Sequence, residues 1–186
     1  MMIWLRMMGL GLVAALWAGT ALAGSLAVGQ AAPDFKVSAG EEQALTLAGL
    51  KGKVVVVFYE GKDQVEYSRA LKKDLNRFFD EQPPEIQKLV KRVPVVDCSP
   101  ANWITKGFWA DGLKEASQKE GLTVYGDWEG DMRQAYGLPE DGSSFLVVGP
   151  GGKLRYLAPD TRKLGPAQYQ KIRDLITQAT TEAMAR

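Results

Sequence analysis

The chain has no histidine in its 186 residues. That absence removes Ser-His-Asp and Cys-His nucleophilic catalysis, imidazole metal ligation and ordinary imidazole acid/base work. It has one cysteine, Cys98, and one thiol cannot close an intramolecular disulfide, so stability must come from packing. An excess of one charge is missing too, with 23 Lys and Arg against 22 Asp and Glu. Nucleic-acid binders carry a basic stripe because phosphate contacts supply most of their affinity. None is visible, and nucleic acid is excluded as a partner. No cofactor is expected either. The Gly149-Pro150-Gly151-Gly152 run leads into a strand-like segment, whereas a phosphate loop needs a following helix. Asp127, Glu129 and Asp131 alternate like the start of a calcium loop, but no Gly follows Asp131 and Leu138 stands where the bidentate Glu belongs, so no metal is expected.

Long hydrophobic runs are confined to the start. Arg6 precedes an apolar stretch from Gly9 to Ala18, which exits through Ala21, Leu22 and Ala23. Charge, apolar run and small-residue exit form a secretory signal with an A-x-A cleavage site. The run is well short of the roughly 20 apolar residues that span a bilayer. Residues 1–23 are therefore read as a signal peptide cut after Ala23, and residues 24–186 as one exported, periplasmic domain with no stable membrane insertion after cleavage. No Cys follows the run, so a lipid-modified anchor is not expected. Losing Arg6 leaves 22 charges of each sign. One hydrophobic core suffices at this length.

Weak strands are predicted over Ala32 to Val37 and Ala44 to Leu47, around the turn at Gly40. Val54 to Phe58 is continuously apolar and β-branched, the pattern of a strand covered on both faces. Asp63 followed three residues later by Glu66 reads as the N-cap of a helix whose apolar stripe is Leu71, Leu75, Phe78 and Phe79. Pro83 and Pro84 stop it, with one further turn through Ile86 and Leu89. A second strand spans Val93 to Val96, a helix Phe108 to Lys119 ends at Gly121, and a strand Thr123 to Trp128 precedes a short helix from Gly130 to Tyr136. Phe145 to Val148 and Lys153 to Leu157 form a hairpin around Gly149 to Gly152. A last helix starts at Pro166 and turns Tyr169, Ile172, Ile176, Ala179 and Ala183 to one side.

This order predicts an α/β fold, a sandwich with a central mixed sheet flanked by helices. Three stretches carry a resemblance: Lys51-Gly52-Lys53-Val54-Val55-Val56-Val57-Phe58-Tyr59, Ala135-Tyr136-Gly137-Leu138 with Ser143-Ser144-Phe145-Leu146-Val147-Val148, and Gly152-Lys153-Leu154. They resemble the thioredoxin-like, redoxin superfamily, over roughly residues 28–180. Within it the chain is most similar to the CxxC-less periplasmic proteins called YtfJ-type, on the Gly107-Phe108 loop, the long helix after it and the Ser-Ser before Phe145.

The resemblance implies a reactive cysteine pair at the start of the helix after Phe58, where a helix N-terminus lowers a thiol pKa. Counted along it, those positions fall on Asp63 and Glu66, so both nucleophiles are absent. It also implies a cis-proline at about Gly142-Ser143, where no Pro stands. The leading expectation is a redox-inactive binding or accessory module, which presents the surface around Glu60, Asp63, Glu66, Gly142 and Ser143 to another exported protein or peptide. The rival is a single-cysteine thiol redox protein, of peroxiredoxin or thiol-oxidoreductase type, that acts through Cys98. Asp97 beside Cys98 works against a thiolate, and Lys106, on the loop that follows, is the nearest candidate to reverse that.

Overall fold

The computed structural model describes residues 26–40 and 44–186. The expected signal segment lies outside them. In chain order the elements are strands β1 Lys36–Ser38 and β2 Ala44–Thr46, β3 Val54–Glu60, helices α1 Arg69–Asp80 and α2 Pro84–Gln87, β4 Val90–Asp97, α3 Lys106–Glu120, β5 Tyr125–Asp127, α4 Asp131–Tyr136, the hairpin β6 Ser143–Val148 and β7 Leu154–Ala158, and α5 Pro166–Met184. One seven-stranded sheet results, in the order β2-β1-β5-β4-β3-β6-β7. β3 pairs with β4 and β4 with β5 in parallel, while β6 runs antiparallel beside β3. No helix among the described residues is long and apolar enough to cross a membrane.

β3 is central because every one of its residues can be buried. Side chains alternate across a strand, so its even and odd positions enter different cores. Val54, Val56 and Phe58 meet Leu71, Leu75 and Phe79 of α1 and Ile172, Ile176 and Ala179 of α5. Val55, Val57 and Tyr59 meet Phe35, Val93, Val95 and the α4 residues Met132 and Tyr136 on the opposite face. The sheet is thus covered on both sides, the mixed α/β sandwich that strand order and hydrophobic pattern predict. Gly121 ends α3 with φ +64°, a left-handed closure that glycine takes without strain.

The start of α1 departs from expectation. A 3₁₀ turn occupies Val65–Ser68 and the α-helix begins at Arg69, so Asp63 lies in the bend before it and caps neither. Glu66 pairs with Arg69 on the exposed side of the turn.

α3 is attached differently from the other long helices. Only Leu113 of its 15 residues is buried. It packs on a small separate cluster of Cys98 and Val124, with Val96, Trp109, Ala116 and Trp128 at its margin. The rest of the helix faces outward.

Candidate functional site

In a parallel α/β sheet the binding residues gather at the carboxyl ends of the strands. Here β3, β4 and β5 finish side by side at Glu60, Asp97 and Asp127, the last two in register. Asp97 and Asp127 repel, and each of the three carboxylates is met by its own protein partner.

On the α4 face, the Tyr59 hydroxyl donates to Asp127 Oδ2 at 3.0 Å, and the backbone N–H of Arg133 donates to the same oxygen at 3.0 Å. Asp97 Oδ1 accepts the backbone N–H and the hydroxyl of Ser99, at 3.0 and 2.6 Å. The Arg133 guanidinium lies 3.2 Å from Asp97 Oδ2 through Nε. Asp127 and Asp97 are buried. Burial is the main cause that raises the Asp127 carboxyl above its ordinary value. Burial first, then Asp127 and Asp97, push the Tyr59 phenol up as well, so Tyr59 stays protonated and acts as a donor. Asp127 therefore joins β3, β5 and the first turn of α4 through Oδ2.

Glu60 points to the other face, toward α1. It is buried and accepts from the Ser68 hydroxyl and from Lys72 Nζ, the latter at 2.7 Å. Burial raises its carboxyl above the ordinary value, and Lys72, then Ser68, pull the other way. Glu60 does not lie on a surface, contrary to expectation. The apolar strand carries it under α1, and an ion pair makes burial there tolerable.

Cys98 follows Asp97 onto the opposite face and is fully buried. Gly126, which pairs with Val96 in the sheet, lies against it, and a Cβ at that position would come within 2.9 Å of the Cys98 sulfur, 2.9 Å of Trp128 Nε1 and 3.0 Å of a Leu113 methyl. Absence of a side chain at residue 126 is what lets sulfur, indole and leucine close over one another. Burial, reinforced by Asp97 and Asp127, pushes the thiol up to about 12. Lys106 gives no help: its Nζ sits 5.5 Å from the centre of the Trp128 ring. A thiol that is neither exposed nor ionised near neutral pH is a poor nucleophile.

The remaining expected site residues divide. Asp63 and Glu66 are exposed. Gly142 is buried, its carbonyl accepts the Gly61 N–H at 2.9 Å, and a Cβ on it would meet a Pro139 carbon at 2.5 Å. Ser143 is buried and accepts from the Thr161 hydroxyl at 2.7 Å. The backbone at this point is thus engaged inside the fold, and of the expected surface only Asp63 and Glu66 are open to a partner. Lys62 Nζ lies 5.0 Å from the centre of the Trp109 ring, which ties this acidic bend to the start of α3.

Sequence reasoning missed the internal pairings of Glu60, Asp97 and Asp127. One signal was available for Glu60: the strand parity that sends Val54, Val56 and Phe58 toward α1 sends residue 60 the same way. Trp103 and Phe108 stand before and at the start of α3. Both are exposed, together with Ile104.

No family model matches the chain, and no curated protein does either. Solved structures do. A candidate thiol:disulfide interchange protein DsbE from Chlorobium tepidum is 21% identical with a TM-score of 0.62, over 84% of this chain and 99% of that one. The thiol peroxidase from Chromobacterium violaceum is 15% identical with a TM-score of 0.58, over 82% and 87%. The exposed lipoprotein thioredoxin of Streptococcus pneumoniae is 19% identical with a TM-score of 0.55, over 81% and 99%. Likeness at such identities establishes architecture rather than activity, and the architecture is the thioredoxin-like fold.

Proposed function

We propose that this protein is an exported, periplasmic thioredoxin-fold binding or accessory module without disulfide chemistry, akin to the CxxC-less YtfJ-type proteins. The observation that carries the reading is the state of sulfur in the fold. Counted along the redoxin resemblance, the reactive pair falls on Asp63 and Glu66, and the one thiol is sealed behind Gly126, Leu113 and Trp128. The scaffold keeps two well-filled cores and spends its polar groups at the carboxyl edge of the sheet on internal pairs. What it offers outward is a surface, and its natural occupant is another exported protein or peptide. The N-terminal charge, apolar run and Ala21-Leu22-Ala23 exit support export.

Two assays test this. With dithiothreitol as donor, the purified protein should reduce insulin no faster than dithiothreitol alone. Labelling of Cys98 by a maleimide at pH 8 should be at least about a thousandfold slower in the native protein than in urea, because a fully buried thiol reacts only through opening. Fast, stoichiometric native labelling, or trapping of a sulfenic acid at low peroxide that Cys98→Ser abolishes, would transfer the function to Cys98 and the thiol redox class.

A further inference from the structure

At the edge of the sheet opposite Glu60, Asp97 and Asp127 the protein carries a cleft of about 310 Å³, within the size range of small-ligand pockets. β3 starts here and β6 ends here, with Val55 opposite Val148. Two glycine turns border it, Lys51-Gly52-Lys53 before β3 and Gly149 to Gly152 between β6 and β7. The Gly52 N–H donates to the Pro150 carbonyl at 3.2 Å, and the Ala32 N–H donates to the Gly152 carbonyl at 2.9 Å. Both turns and the segment before β1 are thereby tied together around the cleft. Gly52 has φ +87° and Gly152 φ +73°, where a side chain is strained, so these walls are bare backbone.

The cleft is apolar inside and charged outside. Leu47 and Val55, both buried in the core, form its floor, with Ala32, Ala48, Leu50 and Pro150 around them. Three charged residues complete the lining, Lys51, Lys53 and Asp34, and all three are exposed. Asp34 Oδ1 already accepts the backbone N–H groups of Phe35 and Ala48, each at 3.0 Å. Lys53 Nζ donates to the Lys88 carbonyl at 2.5 Å, a neutral partner. Neither lysine forms an ion pair among the described residues. The lining thus sets two ammonium groups against one carboxylate, and that carboxylate is partly offset by two N–H dipoles.

We propose that this cleft binds a small free carboxylic acid with an apolar tail, of the medium-chain fatty acid class. The tail lies against Leu47, Leu50 and Val55, and the carboxylate meets Lys51 with Lys53 beside it. Apolar walls with a few polar groups that fix orientation are the usual make-up of a ligand site. An excess of one positive charge suits a monoanion. A phosphate monoester carries nearly two charges, and no guanidinium lines the cleft to meet the second. The carboxyl end of a peptide brings amide groups that apolar walls leave without partners. An organic cation is repelled by the lysines. The site stands at the other edge of the sheet from Asp63 and Glu66, so it adds a ligand to the binding-module reading and does not depend on it.

The test titrates the purified, isotope-labelled protein with octanoate, octanol, octylamine and N-acetyl-Leu-Leu, and follows backbone amide resonances. Octanoate should saturate, shifting the amides of Gly52, Gly151 and Gly152, and should bind more weakly as salt rises. Octanol should bind at least about threefold more weakly than octanoate, and octylamine and the dipeptide more weakly still. Lys51→Glu should weaken octanoate about threefold or more and leave octanol unchanged. Ala48→Phe, which puts a ring into the cleft, should weaken octanoate and octanol alike, at least about tenfold. Both substitutions fall at exposed positions, and circular dichroism of each variant should match that of the parent. Octylamine or the dipeptide binding as tightly as octanoate overturns the proposal, as does octanoate binding that ignores both substitutions. So does a failure to saturate at millimolar octanoate, or shifts gathered at Trp103, Ile104 and Phe108 in place of the glycine turns. Insulin reduction above the dithiothreitol background would sink the redox-inactive reading and leave this one standing, so the two fail separately.

Discussion

Phe145→Ala should lower the stability of the folded domain by about 3–5 kcal/mol, the range for deleting a fully buried phenylalanine. Phe145 is completely buried in β6, directly opposite Phe58 of β3. Its ring lies 4.9 Å from that of Phe58 and 6.0 Å from that of Tyr156, tilted against both. Such pairs add about 0.5–1.5 kcal/mol beyond area burial. The strands on either side are locked into a ladder, so the cavity cannot collapse, and the upper part of the range applies. Against a typical total of about 5–15 kcal/mol, this loss is large enough to expose the domain to unfolding in the cell. Urea denaturation followed by tryptophan fluorescence and far-UV circular dichroism measures it. A loss below about 1 kcal/mol would mean that the α1/α5 side of the sheet is not the packed core described.

Much of this core was legible before any coordinates. The run Val54 to Phe58 has the pattern of a strand covered on both faces, and the stripes Leu71-Leu75-Phe79 and Ile172-Ile176-Ala179 have that of helix faces laid on it. Hydrophobic periodicity is a local signal, and these elements obey it. The start of α1 was read less well because Asp63-Gln64-Val65-Glu66 fits a capping box in sequence, while in the structure the bend at Gly61 and a 3₁₀ turn take up those residues first. Two helical turn types share that local pattern, and Ser68, the residue before α1, turns its hydroxyl to Glu60 rather than to the helix.

The candidate site was legible in its chemistry and not in its geometry. Missing cysteines and histidines exclude reactions wherever the chain folds, and the low reactivity expected of Cys98 from its neighbour Asp97 agrees with a thiol that burial and that carboxylate both hold protonated. Which carboxylates face solvent is a tertiary property. Glu60 looks like a surface candidate at a strand end, yet its partner Lys72 arrives from α1, and Arg133 reaches Asp97 from α4. The exposure of Trp103 and Phe108 was equally unreadable, since aromatic residues at a helix start are more often buried. α3 makes the exception because Leu113 is its one buried residue.

Lys72→Met should cost about 3–5 kcal/mol at neutral pH, the penalty for stranding one member of a buried ion pair. Lys72 Nζ is 2.7 Å from Glu60, and their side chains are 15% and 3% exposed. Methionine keeps the aliphatic stem, so what is lost is the charge that opposes desolvation of Glu60. The ammonium also lies 5.6 Å from the centre of the Phe58 ring, and that contact is lost as well, which calls for a measurement that separates the two. Stability against pH does so. In the native protein the Glu60 carboxyl is raised above its ordinary value, and removing Lys72 raises it further. Between the ordinary carboxylate pKa and the raised one, the folded state holds a proton that the unfolded state has released, so stability falls as pH rises through that window. Below it both states are protonated and the charge penalty vanishes. The cost of Lys72→Met should therefore be small near pH 4, grow with rising pH and level off once Glu60 ionises in the folded variant. Adding Glu60→Gln to Lys72→Met should recover most of the loss at neutral pH and flatten the profile, because a neutral amide has no charge to strand. A cost that stays constant from pH 4 to pH 8, or a double variant no more stable than Lys72→Met, would show that contact with Phe58, not the ion pair, is what Lys72 contributes.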